Sequence, residues 1–423
     1  MEYNITKILA EEIKDSRGNP TIKVTVWVGD YSGSFSVPSG ASTGAHEAHV
    51  IENKKAILNV NEVIAKALIG QDVLNQKEID RIMIELDGTS NKDNLGGNSM
   101  IGVSIACVKA AAKVSGVETY EYLRTLRLSS GQAQEEIKPS RRAPFLFMNL
   151  LEGGKHTSNT LAFQEYLIVP NTENISEAVE IGIKIQNSLK EIIGKELGEN
   201  SLTLGDEGGF ALKITDIRKP FLFLVEAVKK NNLQDKVQFS IDAASSSFFA
   251  NPARNAFSIA DAGGGMYKID GKEISKEELM GVYNSLIKEF NLFSIEDPFD
   301  EEDFDSFRKL KDANKNLFIV GDDLTVSNQT LLKKAIEKGS INAMIIKPNQ
   351  IGTLSETLET MKLARENDIE LIVSHRGEET NDDFIADLAF AFNCFGMKAG
   401  SPLKPERMVK YKRLEDIISK NSN

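Results

Sequence analysis

Only two of the 423 residues are cysteine, Cys107 and Cys394, and they stand far apart in no metal-ligand spacing. That scarcity argues against a disulfide framework and for a reducing, cytoplasmic setting. Long apolar runs are also missing. None approaches the roughly 18 residues of a membrane span. Residues Met1–Asp15 mix charges with single apolar residues and lack the ~7–15 residue apolar stretch of a signal peptide. Positive charge is in deficit, with 50 Lys and Arg against 62 Asp and Glu, a net −12. Sequence-independent binding to nucleic acid or an anionic membrane is therefore not expected, although a local basic pocket for a small anion remains open. No fixed-period repeat or low-complexity tract is found. The G-x-G-x-x-G spacing of a dinucleotide-binding fold is absent from the glycine-rich Gly205–Gly209, which argues against a dehydrogenase.

What is present is an ordinary globular balance, 41% apolar and 26% charged. At about 150 residues per domain the length suggests two or three domains, though a barrel takes ~250 as one unit. Ile22, Val24, Val26 and Val28 alternate with Lys23, Thr25 and Trp27, the period of a half-buried strand. Asp30 and Gly33 mark a hairpin turn before Ser34–Val37, and Pro38–Gly44 is a small-residue loop. From about Lys54 to Lys113 the pattern is helical, with Asn98 as the expected cap of a helix through Ile101, Ile105 and Val108. Residues 1–125 thus read as an α+β domain, 126–142 as a polar linker, and 143–423 as a second domain of another pattern.

In that second domain short apolar runs, each ending in a charged residue, alternate with helical stretches. The ends are Asp242, Glu296, Asp322, Lys347, His375 and Lys398, and the last four steps are 26, 25, 28 and 23 residues. Units of about 30 residues suit a (β/α)8 barrel, whose strand ends converge on one mouth where chemistry sits. The 54-residue step from Asp242 to Glu296 is too long for a bare unit and carries a glycine-rich insert, Asp261–Gly265. Three carboxylates suit a hard cation such as Mg²⁺. Two lysines and Arg376 suit an anionic substrate. Read alone, each of these residues is more often a helix N-cap, a solvated loop or surface residue or a structural histidine, and the six strand ends together leave both readings open.

Longer strings point further. Asp15-Ser-Arg-Gly-Asn-Pro-Thr21, Pro38-Ser-Gly-Ala-Ser-Thr-Gly44, Leu86-Asp-Gly-Thr89, Gly205-Asp-Glu-Gly-Gly209, Ser294-Ile-Glu-Asp-Pro-Phe299, Gly321-Asp-Asp-Leu-Thr-Val326, Asn349–Glu356 and Ser374-His-Arg376 occur in this order. Together they resemble the enolases along nearly the whole chain. The resemblance implies an α/β fold: a ββαα(βα)6 barrel, an enolase-type (β/α)8 barrel, with a smaller N-terminal α+β capping domain. It also implies a lyase of glycolysis and gluconeogenesis that interconverts 2-phosphoglycerate and phosphoenolpyruvate with two Mg²⁺ per site, the second bound with substrate. The expected assembly is a homo-oligomer, a dimer.

Carried onto this sequence, the resemblance makes Lys347 the general base, with a pKa lowered by nearby cations and burial. Glu207 is the general acid, Glu165 holds it in place, and His375 orients the leaving group. Asp242, Glu296 and Asp322 bind the first Mg²⁺, and Ser42 joins the second. Lys398 pairs with the substrate carboxylate, Arg376 grips the phosphate, and His156, Gln164 and Gly377 line the pocket. Four departures stand out. Gly377-Glu378-Glu379 replaces the family's Ser-Gly-Glu, so a phosphate-binding serine is missing and Glu378 brings a like charge. Ser247 stands where a carboxylate is usual, Glu152 replaces the Asn of Asn-Gly-Gly, and the tail after Lys410-Tyr411 is short and unlike the family's. The alternatives are a related barrel lyase or racemase acting on another acid, and a non-catalytic binding protein on the same fold.

Overall fold

The computed structural model describes residues 3–40, 46–126, 143–157, 161–250 and 265–421. An antiparallel three-stranded sheet opens the chain: β1 (Lys7–Lys14), β2 (Pro20–Val28) and β3 (Tyr31–Ser36). The alternation in β2 puts Ile22, Val24, Val26 and Val28 on a fully buried face. Residues 53–68 follow as α1 (Asn53–Leu58), a π-turn (Asn59–Ile64) and α2 (Ala65–Leu68). Then come α3 (Gln76–Asp87), α4 (Gly97–Val114) and α5 (Thr119–Thr125). The hairpin turn is Gly29-Asp30, and Gly33 lies inside β3 rather than in the turn. A Cβ at Gly33 would sit 2.1 Å from the Ala110 nitrogen, so the missing side chain is what lets β3 close on α4. Asn98 is not the cap of α4. Gly96 is, and Asn98 in the first turn spends its amide on Ile51, donating to its C=O (3.0 Å) and accepting from its N–H (3.4 Å). An inward-facing amide so close to the helix start cannot be told from a cap by sequence spacing.

The helix α4 is buried almost all round because it lies between the small sheet and the second domain, where Ser104 Oγ accepts the Leu354 N–H at 3.0 Å. Among the described residues no single helix is long and apolar enough to cross a membrane. The expected linker falls outside the described residues except for Leu126.

The second domain begins with antiparallel β4 (Phe145–Glu152) and β5 (Glu165–Pro170), then α6 (Ile175–Leu197), the short β6 (Phe210–Ala211) and α7 (Lys219–Lys230). After β7 (Val237–Asp242) comes a small antiparallel sheet of β8 (Phe249–Ala250), β9 (Met266–Ile269) and β10 (Lys272–Ile274). This sheet fills the long step seen in the sequence, and most of the glycine-rich insert lies outside the described residues. Then α8 (Lys276–Phe290) leads to regular alternation: β11 (Leu292–Glu296), α9 (Phe304–Ala313), β12 (Phe318–Gly321), α10 (Gln329–Lys338), β13 (Ala343–Ile346), α11 (Leu354–Arg365), β14 (Glu370–Ser374), α12 (Phe384–Ala391), β15 (Gly396–Lys398) and α13 (Pro405–Asn421).

The strands run β4-β5-β7-β11-β12-β13-β14-β15, and β15 pairs back to β4 through Gly396–Phe145 to close the barrel. Only β4–β5 and β5–β7 are antiparallel. This is the expected ββαα(βα)6 order. The period of two sorts each strand by depth. Leu167 and Val169 of β5, Val320 of β12 and Ile345 of β13 fill the interior, and Glu165, Asp322 and Lys347 stand two residues nearer the mouth. Phe145, Phe147, Phe293, Phe318 and Phe395 close the opposite end, with ring centroids 4.6–6.5 Å apart where they touch.

Candidate active site

The strand ends place Asp242, Glu296, Asp322, Lys347, His375, Arg376 and Lys398 around one mouth, and β5, running the other way, brings Gln164 and Glu165 there by its beginning. The loop before β6 adds Glu207. The space they leave is about 20 Å³, lined by Gly40, Gln164, Glu165, Glu207, Asp242, Lys347, Ser374, His375, Arg376, Gly377 and Lys398. Ser42 and the side chain of His156, both expected here, lie outside the described residues.

Lys398 is buried with its ammonium 2.9 Å from Glu296 Oε2, 3.1 Å from Glu165 Oε2 and 3.3 Å from Asp242 Oδ2. Burial pushes its pKa down, but these carboxylates outweigh that and hold it well above the usual lysine value. Lys347 pairs with Asp322 Oδ2. Burial presses the Lys347 ammonium toward neutrality, as the sequence leads one to expect, while the carboxylates around it, Asp322 first and then Glu296, act the other way and leave the pKa above the ordinary value. The same contact keeps Asp322 low despite its burial. Glu165 is driven well above the usual carboxylate range by burial and by Glu207, and Glu296 by burial and Asp242.

Glu207 is held on several sides. His375 Nε2 lies 3.2 Å from its Oε1, and Asn149 Nδ2 donates to its Oε2 at 3.2 Å. Arg407, fully buried, reaches His375 Nδ1 and donates to the carbonyls of Arg376 and Gly377 at 2.7 Å each. A guanidinium has only donors, so Nδ1 accepts and the imidazole proton sits on Nε2, facing Glu207. Burial, with Arg407 adding to it, takes His375 down to about 4, so the ring is neutral at physiological pH. The Arg376 guanidinium, expected on the phosphate, is engaged by Glu47 at 2.9 and 3.1 Å and by Asn349 Oδ1 at 3.0 Å. Glu378 turns its carboxylate away to Arg17, 2.7 Å from Nη1. Among the described residues Gln164 Oε1 is buried with no hydrogen-bond partner, while its amide nitrogen donates to Asp242 Oδ2 at 3.2 Å.

The donor set fits a divalent cation. Asp242, Glu296 and Asp322 end three neighbouring strands, are at most 7% exposed, and offer only hard oxygen atoms. With Glu165, Glu207 and Asp297 they make a group of buried carboxylates that, among the described residues, has the ammonium groups of Lys347 and Lys398 beside it. Burial first, and then the neighbouring negative charge, drives Glu165 and Glu296 toward protonation, and a dipositive ion would relieve it. A tighter trio, Asp297, Asp322 and Asp323, has carboxylate oxygens within 4.8 Å of one another. Asp297, however, spends both oxygens on the N–H groups of Asp322 (3.0 Å) and Asp323 (2.7 Å), which makes it the anchor of that loop.

Comparison with known proteins settles the family. A model described as "Enolase, N-terminal domain" matches residues 5–123, and "Enolase, C-terminal TIM barrel domain" matches residues 141–422. The chain belongs to the enolase family. Among its relatives are the enolase of Methanocaldococcus jannaschii, 42% identical over 97% of this chain and 94% of the relative. That of Methanococcus maripaludis is 40% identical over 98% and 95%, and enolase B of Dictyostelium discoideum is 40% identical over 98% and 94%. Three contributors to the site carried no signal of their own, Glu47, Asn149 and Arg407, and Asn349 stood at the head of a family string without a role assigned to it. Arg407 reads as one more charge in a polar helix, and only the packing of α13 against the mouth shows it buried.

Proposed function

We propose that the chain is a magnesium-dependent hydro-lyase that reversibly dehydrates 2-phosphoglycerate to phosphoenolpyruvate. The observation that carries the reading is that a lysine and a glutamic acid, Lys347 and Glu207, line one small buried cavity together with cationic and carboxylate groups. A divalent cation held there would supply positive charge to a substrate carboxylate. Asp242, Glu296 and Asp322 would hold the first ion, and Ser42 would join the second. A Lys or His base working with one or two Mg²⁺ is the general pattern of the enolase superfamily rather than a deduction from this chain.

Lys347 takes the C2 proton. It would lose its own proton more readily if the Asp322 charge were engaged elsewhere, because Asp322 is the leading carboxylate favouring the protonated form. Glu207 gives a proton to the departing C3 hydroxyl. His375 Nε2–H positions Glu207 without supplying the proton, being a neutral donor. Glu165 and Glu207 share one low-dielectric space, which opposes ionisation of both at once. Lys398 and Arg376 balance the substrate's carboxylate and phosphate, and Gln164 Oε1 offers an acceptor to a substrate hydroxyl. The unpaired, buried Cys107 and Cys394 support a cytoplasmic location. A homodimer is the proposed assembly.

The test is phosphoenolpyruvate formation by purified protein with Mg²⁺, with a chelator, and with Lys347→Ala. Turnover that needs Mg²⁺ and vanishes in the variant supports the reading. No turnover with Mg²⁺ binding intact would move the assignment to an acid without a phosphate, the alternative that Gly377 favours.

A further inference from the structure

Glu152 is the last residue of β4 and is 0% exposed. A carboxylate so deep needs donors, and it finds them in the loop that carries Glu207. Its Oε1 accepts the Gly209 N–H at 2.6 Å, and its Oε2 accepts the N–H of Glu207 itself at 3.4 Å. The loop is shaped to receive it. A Cβ on Gly205 would fall 2.0 Å from Glu152 Oε2, and one on Gly209 would fall 3.0 Å from Glu152 Cγ. On the other side the Glu207 carbonyl accepts the Ser401 N–H at 3.0 Å, and the Gly208 carbonyl accepts from Gln186 Nε2 at 2.6 Å. The peptide groups of Glu207 are therefore fixed from both sides, and Glu152 supplies one of those sides.

The chemistry of the residue matters. Asn, the residue of the family string noted above, has one acceptor oxygen and a shorter reach. A carboxylate has two acceptors and meets two N–H groups of the same loop. Burial and the Glu207 charge push Glu152 up to about 8. The charged groups facing it are Glu207 on the loop, Glu165 across the β4–β5 ladder and Arg407 on α13.

We propose that Glu152 is a positioning residue for the proton-donating step, holding the backbone of Glu207 so that the acid meets the departing hydroxyl. The proposal rests on the reading of Glu207 as the general acid. Its loss is then felt when the C3–O bond breaks, and not when substrate binds or when the C2 proton is removed at Lys347.

The experiment compares Glu152→Ala, Glu152→Gln and Glu207→Gln in the Mg²⁺-loaded enzyme. Each is assayed for dehydration (kcat and KM) and for exchange of the C2 proton of 2-phosphoglycerate with D₂O, and thermal melting checks folding. Loss of the hydrogen bonds from the Gly209 and Glu207 N–H groups predicts a kcat for Glu152→Ala about tenfold to hundredfold lower. KM and the rate of C2 exchange stay within about threefold of the parent. Glu152→Gln keeps one acceptor for Gly209 and recovers a large part of the loss, which also decides the question if the alanine variant does not fold. C2 exchange falling in step with dehydration, or a raised KM with kcat intact, overturns the proposal. Glu207→Gln separates the two readings. If it dehydrates normally, the assignment of the acid itself fails. If it loses dehydration while both Glu152 variants keep it, only the role of Glu152 fails.

Discussion

Replacing Gly377 by serine should tighten the hold on the substrate phosphate. In this structure the guanidinium of Arg376 already gives Nη2 to Glu47 and Nη1 to Asn349. The Gly377 carbonyl is taken by Arg407 Nη2 at 2.7 Å. Gly377 lines the cavity beside Arg376 but brings no side chain to it. It is not among the residues with positive φ, so a serine there carries no left-handed strain. A hydroxyl donating to a charged phosphate is worth about 1.5–3 kcal/mol, or roughly tenfold to hundredfold in affinity. Ordering the side chain takes back part of that, so the expected result is a KM about tenfold lower with kcat unchanged. The assay is initial rate against 2-phosphoglycerate at saturating Mg²⁺, with inhibition by inorganic phosphate as a second readout that should tighten in parallel. Glu378→Gly is the control. Its carboxylate is turned to Arg17, so KM should stay put. If Gly377→Ser leaves both KM and phosphate inhibition unchanged, another donor already occupies that place and the reasoning is wrong.

Gly33→Ala forces a Cβ to within 2.1 Å of the Ala110 nitrogen and should cost about 3 kcal/mol of stability, read by denaturant unfolding; an unchanged midpoint would mean the sheet slides freely on α4. Asp322→Asn removes a carboxylate from the cation site and should raise the Mg²⁺ concentration for half-maximal activity by about tenfold or more; an unchanged Mg²⁺ dependence would remove Asp322 from the ligand set. His375 falls from 6.5 unfolded to about 4 folded, so the unfolded chain takes up its proton first. The stability this residue contributes is complete above the unfolded value and is lost as pH falls toward the folded one, by about 3 kcal/mol in all. His375→Asn should flatten that part of the stability–pH curve, and an equally steep curve in the variant would refute it.

The barrel was legible because its strands are short apolar runs ending in charge, and the period of two then carries those charges to the mouth. The same logic brings Asp242, Glu296, Asp322, Lys347, His375 and Lys398 together without any knowledge of contacts. What local pattern does not encode is the pairing of charges across the mouth. That Lys347 meets Asp322, and Arg376 meets Glu47, depends on strands and domains far apart in the chain. The Lys347 pKa shows the consequence: burial lowers it, and the carboxylates that raise it, led by Asp322 25 residues earlier, are placed only by the fold. Gly33 was read as a turn residue because a glycine needed for close packing looks the same in sequence as one needed for a turn. Arg407 stayed invisible because a charge buried by four acceptor groups cannot be told from one in water until those groups are placed.

Among the described residues the five phenylalanines plug the far end of the barrel and leave the mouth as its doorway. Dehydration at the mouth yields phosphoenolpyruvate and water, and a plugged axis sends them out past the place where the next substrate enters, so product competes with substrate for that entrance. The seal also divides the molecule's obligations. Apolar side chains at the closed end can be exchanged at a cost in folding alone, while the open end can change its chemistry without loosening the plug beneath it.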